Sequence, residues 1–171
     1  MTATRHRGLP ALADPRAQVL VLGSLPGTQS LLEQRYYAHP RNHFWWIMGK
    51  VFSFPTTLDY PLRVQALHER GVAVWDVLES GIRPGSLDAA IDLKSAVAND
   101  FSGFLTQIPS LDRIVFNGAM AERLFRERVL GSLTADQQLI ARARLPSTSP
   151  ANASTPPAAK LAAWQAALRV A

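Results

Sequence analysis

The sequence predicts an α/β protein: a three-layer α/β/α sandwich built on a mostly parallel, four-stranded central sheet. Three observations lead there. Four short runs, at 19–22, 72–78, 114–116 and 139–145, have strand character. Stretches with helical length and punctuation separate them, and such alternation requires crossovers that leave neighbouring strands parallel. The first run, Val19-Leu20-Val21-Leu22, is apolar at every position, as expected of a strand covered on both faces. The 171 residues fit one domain, read as a flexible lead-in over 1–17 and a single domain over 18–171. A chain of this size buries roughly two-thirds of the surface its unfolded form exposes, enough for a sizeable core.

Gly23 ends the first strand. Gly23-Ser24-Leu25-Pro26-Gly27-Thr28 reads as a loop because two glycines and a proline punctuate it. Phe44 to Phe52 is apolar, free of proline and long enough for a short helix. Tyr60 to Arg70 is a second helix, with Pro61 in its first turn and Gly71 just past its end. Val72 to Leu78 is the second strand. Asn99 or Asp100 caps a helix reaching about Ile108. Ile114-Val115-Phe116 is the third strand, closed by Asn117-Gly118 and followed by a helix from Ala119 to Leu130. Leu139 to Leu145 is the fourth strand, and its alternation with Arg142 and Arg144 suits a sheet edge. A Ser/Thr/Pro/Asn-rich stretch covers Pro146 to Pro157, and an Ala-rich helix runs from Ala158 to about Val170.

Composition removes several function classes. Hydrophobic residues make up 47% and charged residues 18%, the balance of a globular chain. No apolar run approaches the roughly 20 residues that span a bilayer. Met1 to Asp14 lacks the apolar core of a signal peptide, so a cytoplasmic, nucleoid-associated location is expected. The chain has no cysteine, which excludes disulfides, thiolate zinc sites and cysteine-ligated iron–sulfur clusters. His6, His39, His43 and His68 have no carboxylate cluster beside them, and Pro40 spoils the His39/His43 pair as a helical two-histidine face. No metal and no cofactor are expected. The net charge of +5 favours polyanions through phosphate contacts and counterion release, although charge alone suits a basic protein without such a role equally well. An α/β hydrolase would need a Gly-x-Ser-x-Gly elbow, and none is present.

Three segments can carry chemistry, and in α/β folds ligands sit where such segments sit, beyond the carboxyl ends of the strands. Gly23 to Gly27 can turn backbone N–H groups toward an anion, or serve only as a tight strand-to-helix turn. Tyr36 to Trp46 packs five aromatics, two histidines, Arg41 and Asn42 into eleven residues. Aromatics stack on bases, and an asparagine amide meets both a base edge and a water. The same cluster also reads as core, and Phe44, Trp45 and Trp46 contribute to one. The third segment, Leu145 to Ser154, offers hydroxyls and amides suited to phosphate, or a plain surface linker.

Taken together and in order, these segments resemble the uracil-DNA glycosylase superfamily. Its mismatch-specific members carry a Gly-x-x-Pro-Gly loop, then an aromatic-Ala-His-Pro-x-Asn-x-Phe-Trp segment. Here these read Gly23-Ser24-Leu25-Pro26-Gly27 and Tyr37-Ala38-His39-Pro40-Arg41-Asn42-His43-Phe44-Trp45. The second motif reads Leu145-Pro146-Ser147-Thr148-Ser149-Pro150-Ala151-Asn152. Tyr36-Tyr37, Trp75-Asp76-Val77-Leu78 and Gly85-Ser86-Leu87-Asp88 further resemble the hypoxanthine-DNA (deoxyinosine) glycosylase branch. Leu25 stands where many relatives place a catalytic Asp or Asn, and leucine can neither orient nor activate water.

The resemblance implies a monofunctional glycosylase that hydrolyses the N-glycosidic bond of a deaminated base in DNA, hypoxanthine before uracil or xanthine. A monomer acting away from membranes is expected. Asn42 would place the water, and Ser147 occupies the position where relatives carry a catalytic His or Asn. Ser24, Leu25, Tyr37, Phe44 and Asn117 would bind the flipped base, Tyr37 by stacking and Asn117 by reading the base edge. Asn117 also reads as a plain turn residue before Gly118. His39, Ser149, Pro150, Ala151 and Asn152 would contact the DNA. Trp75, Asp76 and Asp88 receive no chemistry. The motifs contain no lysine, so Schiff-base lyase chemistry has no obvious nucleophile. Leu25 leaves a second reading open, a non-catalytic binder of damaged or single-stranded DNA on the same fold.

Overall fold

The computed structural model describes residues 4–168. In chain order the strands are β1 (Arg5–Arg7), β2 (Val19–Gly23), β3 (Val72–Asp76), β4 (Leu78–Ile82), β5 (Val97–Ala98), β6 (Arg113–Asn117) and β7 (Ala141–Leu145). The helices are α1 (Thr28–Glu33), α2 (Phe44–Phe52), α3 (Tyr60–Glu69), α4 (Phe101–Thr106), α5 (Ala119–Arg128), α6 (Ala135–Gln138) and α7 (Pro157–Leu168). Four strands form a sheet in the order β3-β2-β6-β7, and every pairing in it is parallel. The expected three-layer α/β/α sandwich is what the chain adopts.

The two outer layers follow from strand periodicity. Leu20, Leu22, Ala73, Ile114 and Phe116 face one side, where they meet Phe101 and Leu105 of α4 and Leu124 and Phe125 of α5. Val19, Val21, Val72, Val74 and Val115 face the other, against Phe44, Ile47 and Met48 of α2, Leu67 of α3 and Trp164 of α7. Successive side chains in a strand point to opposite faces. A run such as Val19 to Leu22 therefore stabilises the fold only with a core on each side, and both cores exist. Burying each large apolar side chain contributes roughly 1.5–3 kcal/mol. β7 lies at the sheet edge, as its alternating arginines suggest, with Ala141 to Arg144 exposed. Arg144 is held there by an ion pair to Glu122 at 3.2 Å.

The structure corrects the expectations in several places, among them the fourth strand, which begins at Ala141 rather than Leu139, and a short unexpected helix, α6, before it. The 72–78 run is two strands rather than one. β3 stops at Asp76, and Leu78 begins β4, which belongs to a second, antiparallel sheet ordered β1-β4-β5. The lead-in is anchored over its described part: Arg5 to Arg7 pair with Ser80 to Ile82 of β4, and Leu12 bridges Val74. Its first three residues lie outside the described range, as does the end of the last helix at Val170. Finally, a short helix, α1, follows the first loop. The helix after Asp100 is capped as expected, with the Asp100 carboxylate accepting the Gly103 N–H at 3.1 Å.

Candidate active site

A cavity of about 480 Å³ opens beyond the carboxyl ends of the parallel strands. The register brings those ends together: Gly23 of β2 pairs with Asp76 of β3, and Asn117 of β6 with Leu145 of β7. All the predicted site residues line it except Phe44. The first loop, Tyr37, His39 and Asn42 of the aromatic segment, and residues 147–152 all line it. The two motifs, more than a hundred residues apart in the chain, thus close on one space.

Phe44 is fully buried on α2 and stands behind the wall. Its ring stacks on Tyr37 with centroids 4.0 Å apart and meets Trp164 edge-on. It therefore fixes the plane of Tyr37 instead of offering a face to the cavity. Tyr37 itself has φ +54°, in the left-handed region that non-glycine residues rarely occupy. Strain of this kind persists where the surroundings over-determine it, and it clusters at ligand sites. Burial pushes the Tyr37 phenol well above its ordinary value; the Asp76 charge adds to this and the nearby Asn117 amide opposes it. The hydroxyl is buried without a well-formed hydrogen bond.

The first loop is tied down from behind. The Val77 and Leu78 N–H groups donate to the Gly23 and Ser24 carbonyls at 2.8 and 3.0 Å. Arg83, only 1% exposed, donates to the Leu25 carbonyl at 3.0 Å and to the Pro26 carbonyl. The Ser24 hydroxyl donates to Asp88 at 2.5 Å. The Leu25 side chain is turned into the core. This position therefore presents no functional side-chain group to the cavity.

Asn42 is half-buried, and its Oδ1 accepts the Phe44 N–H at 2.9 Å. That bond orients the amide at the head of α2 and uses one of its acceptor positions. His39 Nδ1 accepts the Arg41 N–H at 3.1 Å, which leaves Nε2 as the donor of the neutral ring.

The second motif is pinned on several sides. Thr148 is fully buried. Asn117 Nδ2 donates to Thr148 Oγ1 at 2.9 Å, and Asn117 Oδ1 accepts the Thr148 N–H at 2.8 Å. The Thr148 carbonyl accepts the His43 N–H at 3.0 Å, and Trp164 Nε1 donates to the Pro146 carbonyl at 2.9 Å. Gly118 has φ +97°, and a Cβ there would lie 3.1 Å from that of Ser147. Ser147 Oγ accepts the Ser149 N–H, and Ser149 Oγ accepts the Ala151 N–H, each at 3.2 Å. Asn152 Nδ2 donates to the Ser147 carbonyl at 3.1 Å. Pro150 lies between these tied residues on the wall. The amide of Asn117 is thus engaged in holding the loop.

The sequence reading gives Asp76 and Asp88 no chemistry and does not single out Arg83. Asp76 lines the cavity at 4% exposure, and its Oδ2 has no hydrogen-bond partner. Burial, with a further push from the Asp88 charge and opposition from Arg83, raises the Asp76 carboxyl to about 7. Asp76 and Asp88 each fall in a segment that resembles the hypoxanthine branch, but nothing in the spacing of Asp76, Arg83 and Asp88 says that they meet, so only the fold assembles these three.

Comparison with known proteins gives the family. A profile described as "Uracil DNA glycosylase superfamily" matches residues 10–168. A "Hypoxanthine DNA glycosylase" of Methanosarcina acetivorans is 37% identical over 116 residues, covering 67% of this chain and 72% of its own. One of the same name from Methanosarcina barkeri is 35% identical over 115 residues, with the same coverage. A solution NMR structure of a candidate uracil DNA glycosylase from Methanosarcina acetivorans superposes with a TM-score of 0.78 at 32% identity, covering 97% of this chain and 98% of that one. With its motif loops closing on one cavity and its sequence matched along nearly its whole length, the chain belongs to the uracil DNA glycosylase superfamily.

Proposed function

We propose that this protein is a monofunctional DNA glycosylase that removes a deaminated base, hypoxanthine foremost, by hydrolysis and leaves an abasic site. The observation that carries the reading is the convergence of both motif loops on one cavity whose wall includes a buttressed aromatic ring. The relatives named for hypoxanthine support the choice of base. A base inside a duplex is out of reach, so the nucleotide is flipped into the cavity. Its volume falls within the usual range of small-ligand sites. Tyr37, held by Phe44, stacks on the base. Ser24 and the loop behind it bound the pocket. His39 and the 147–152 loop contact the DNA strand, with Ser147 nearest Gly118.

Cleavage of the C1′–N bond develops positive charge on the sugar and negative charge on the base, and both need fixed electrostatic partners. Asn42 places the water; an amide is no strong base, so it orients more than it activates. Lyase chemistry requires an amine in the site. Lys160 comes near the second motif in space, 3.4 Å from the Ser149 carbonyl, but it is buried behind the loop and does not line the cavity. Simple hydrolysis by a monomer without cofactor follows from this reading.

The test is base release from labelled oligonucleotides carrying hypoxanthine, uracil or xanthine, with wild type and Asn42→Ala. Wild type is expected to release hypoxanthine, and Asn42→Ala to be slower by about 10²–10³-fold, the usual cost of losing a positioned polar group. DNA binding without release from any of the three would replace the enzyme with a binder of damaged DNA on this fold.

A further inference from the structure

We infer that Asp76 is a catalytic residue, the hydrogen-bond and proton donor to the departing base. The inference rests on the glycosylase reading and deepens it. It begins from which polar groups of the cavity wall are free. The Asn117 amide is engaged with Thr148, and the Ser24 hydroxyl with Asp88. Arg83 is turned to loop carbonyls. Among the described residues, two buried polar groups on the wall lack partners: Asp76 Oδ2 and the Tyr37 hydroxyl. They converge beside Gly23, where a Cβ would collide with Asp76 Oδ1 and lie 3.3 Å from the Tyr37 oxygen. The backbone has been cleared at this point to admit the carboxyl. A buried polar atom left unpaired is destabilising, and native proteins retain few without a use.

The groups facing Asp76 decide its protonation. The titratable and charged groups close to it are Tyr36, Tyr37, Asp88 and Arg83. Burial is the largest influence and favours the neutral acid; Asp88 favours it too, and Arg83 opposes. Near neutral pH a large fraction of the carboxyl therefore carries its proton, as a general acid requires. The remaining chemistry of the site calls for such a group. Leu25 cannot activate water and Asn42 is no base, so acceleration has to come from the leaving-group side.

The step balances without a co-reactant. The C1′–N9 bond of the purine nucleotide breaks, and its electron pair passes into the base. The Asp76 proton moves to a basic nitrogen or the carbonyl oxygen of that base. The water held by Asn42 adds to C1′ and loses one proton to solvent, and Asp76 regains one from solvent. One water is consumed, and the products are the neutral base and the abasic sugar.

The experiment is single-turnover release of hypoxanthine by the full chain between roughly pH 5 and pH 9, for wild type and Asp76→Asn, with DNA affinity measured alongside. The wild-type rate is expected to fall about tenfold per pH unit once pH passes about 7. Asp76→Asn keeps the shape and a donor but has no proton to give. It should be slower by about 10²-fold or more at the acid end, lack the falling limb and bind DNA as wild type does. A wild-type profile with no limb near neutrality overturns the assignment whether or not the variant folds. So does a limb that survives in Asp76→Asn, or a variant as fast as wild type. An inactive wild type would instead remove the glycosylase reading, and this assignment with it.

Discussion

At the scale of single residues, the site stores unfavourable features that a residue serving only stability would not need. Asp76 is the clearest. Its carboxyl rises from 3.8 to about 7 on folding, chiefly through burial. The folded state therefore holds this proton more tightly than the unfolded state does. The stability linked to it is fully present below about pH 4 and is lost as pH climbs through about 7, at roughly 1.4 kcal/mol per unit within that window. Asp76→Asn cannot ionise. Its melting temperature should exceed that of wild type above pH 7, with the gap closing toward pH 4, in thermal denaturation at a series of pH values. A variant less stable than wild type at every pH would mean that the carboxylate is a structural anchor. Tyr37 has the same character: a left-handed backbone and an unpartnered hydroxyl, both held in place by the ring of Phe44.

At the scale of elements, rigid strands and helices hold two loops whose own hydrogen bonds fix their shape. Thr148 is the link in the second loop, joining it to β6 through Asn117 and to α2 through the His43 N–H. Thr148→Val keeps the volume and the backbone bonds but strands the buried Asn117 Nδ2. That should cost about 1–3 kcal/mol in denaturant unfolding and slow base release, although Asn42, Tyr37 and Asp76 are untouched. Equal stability would show that the Asn117 amide finds another partner. What was legible in the sequence divides along the same line. The parallel strands were readable because a strand buried on both faces needs an unbroken apolar run, as Val19 to Leu22 has. The motif residues were readable because they are contiguous. The small antiparallel sheet was not, since its strands are short, Gly81 interrupts β4, and Val77-Leu78 continues the apolar run of β3 without punctuation. Nor was the support of the first loop, which joins Ser24 to Asp88 across 64 positions and Arg83 to Leu25 across 58. Such pairs exist only after the chain has folded.

At the scale of the molecule, the proposed function puts the chemistry at one end of the sandwich and leaves the basic exterior to meet the DNA. The net charge of +5 is carried mostly by arginines, and most of them lie away from the cavity. Arg41 is the exception argued by position: it is exposed, and it sits between His39 and Asn42, which both line the cavity. On the proposed function, a nucleotide flipped into that cavity would bring its flanking phosphates past this rim. Affinity gained by neutralising phosphates is largely counterion release, so the logarithm of the binding constant falls linearly with the logarithm of salt, by about 0.9 per phosphate contacted. Arg41→Ala should lower that slope by about 0.9 and weaken binding to intact and hypoxanthine-containing duplexes alike, because a phosphate contact carries no base information. Asp76→Asn, acting on the base inside the cavity, should leave the slope unchanged. Binding titrations over a salt series separate the two. If Arg41→Ala weakened only the hypoxanthine duplex and kept the full slope, Arg41 would be reading the lesion, and the division between a reading interior and a holding rim would have to be redrawn.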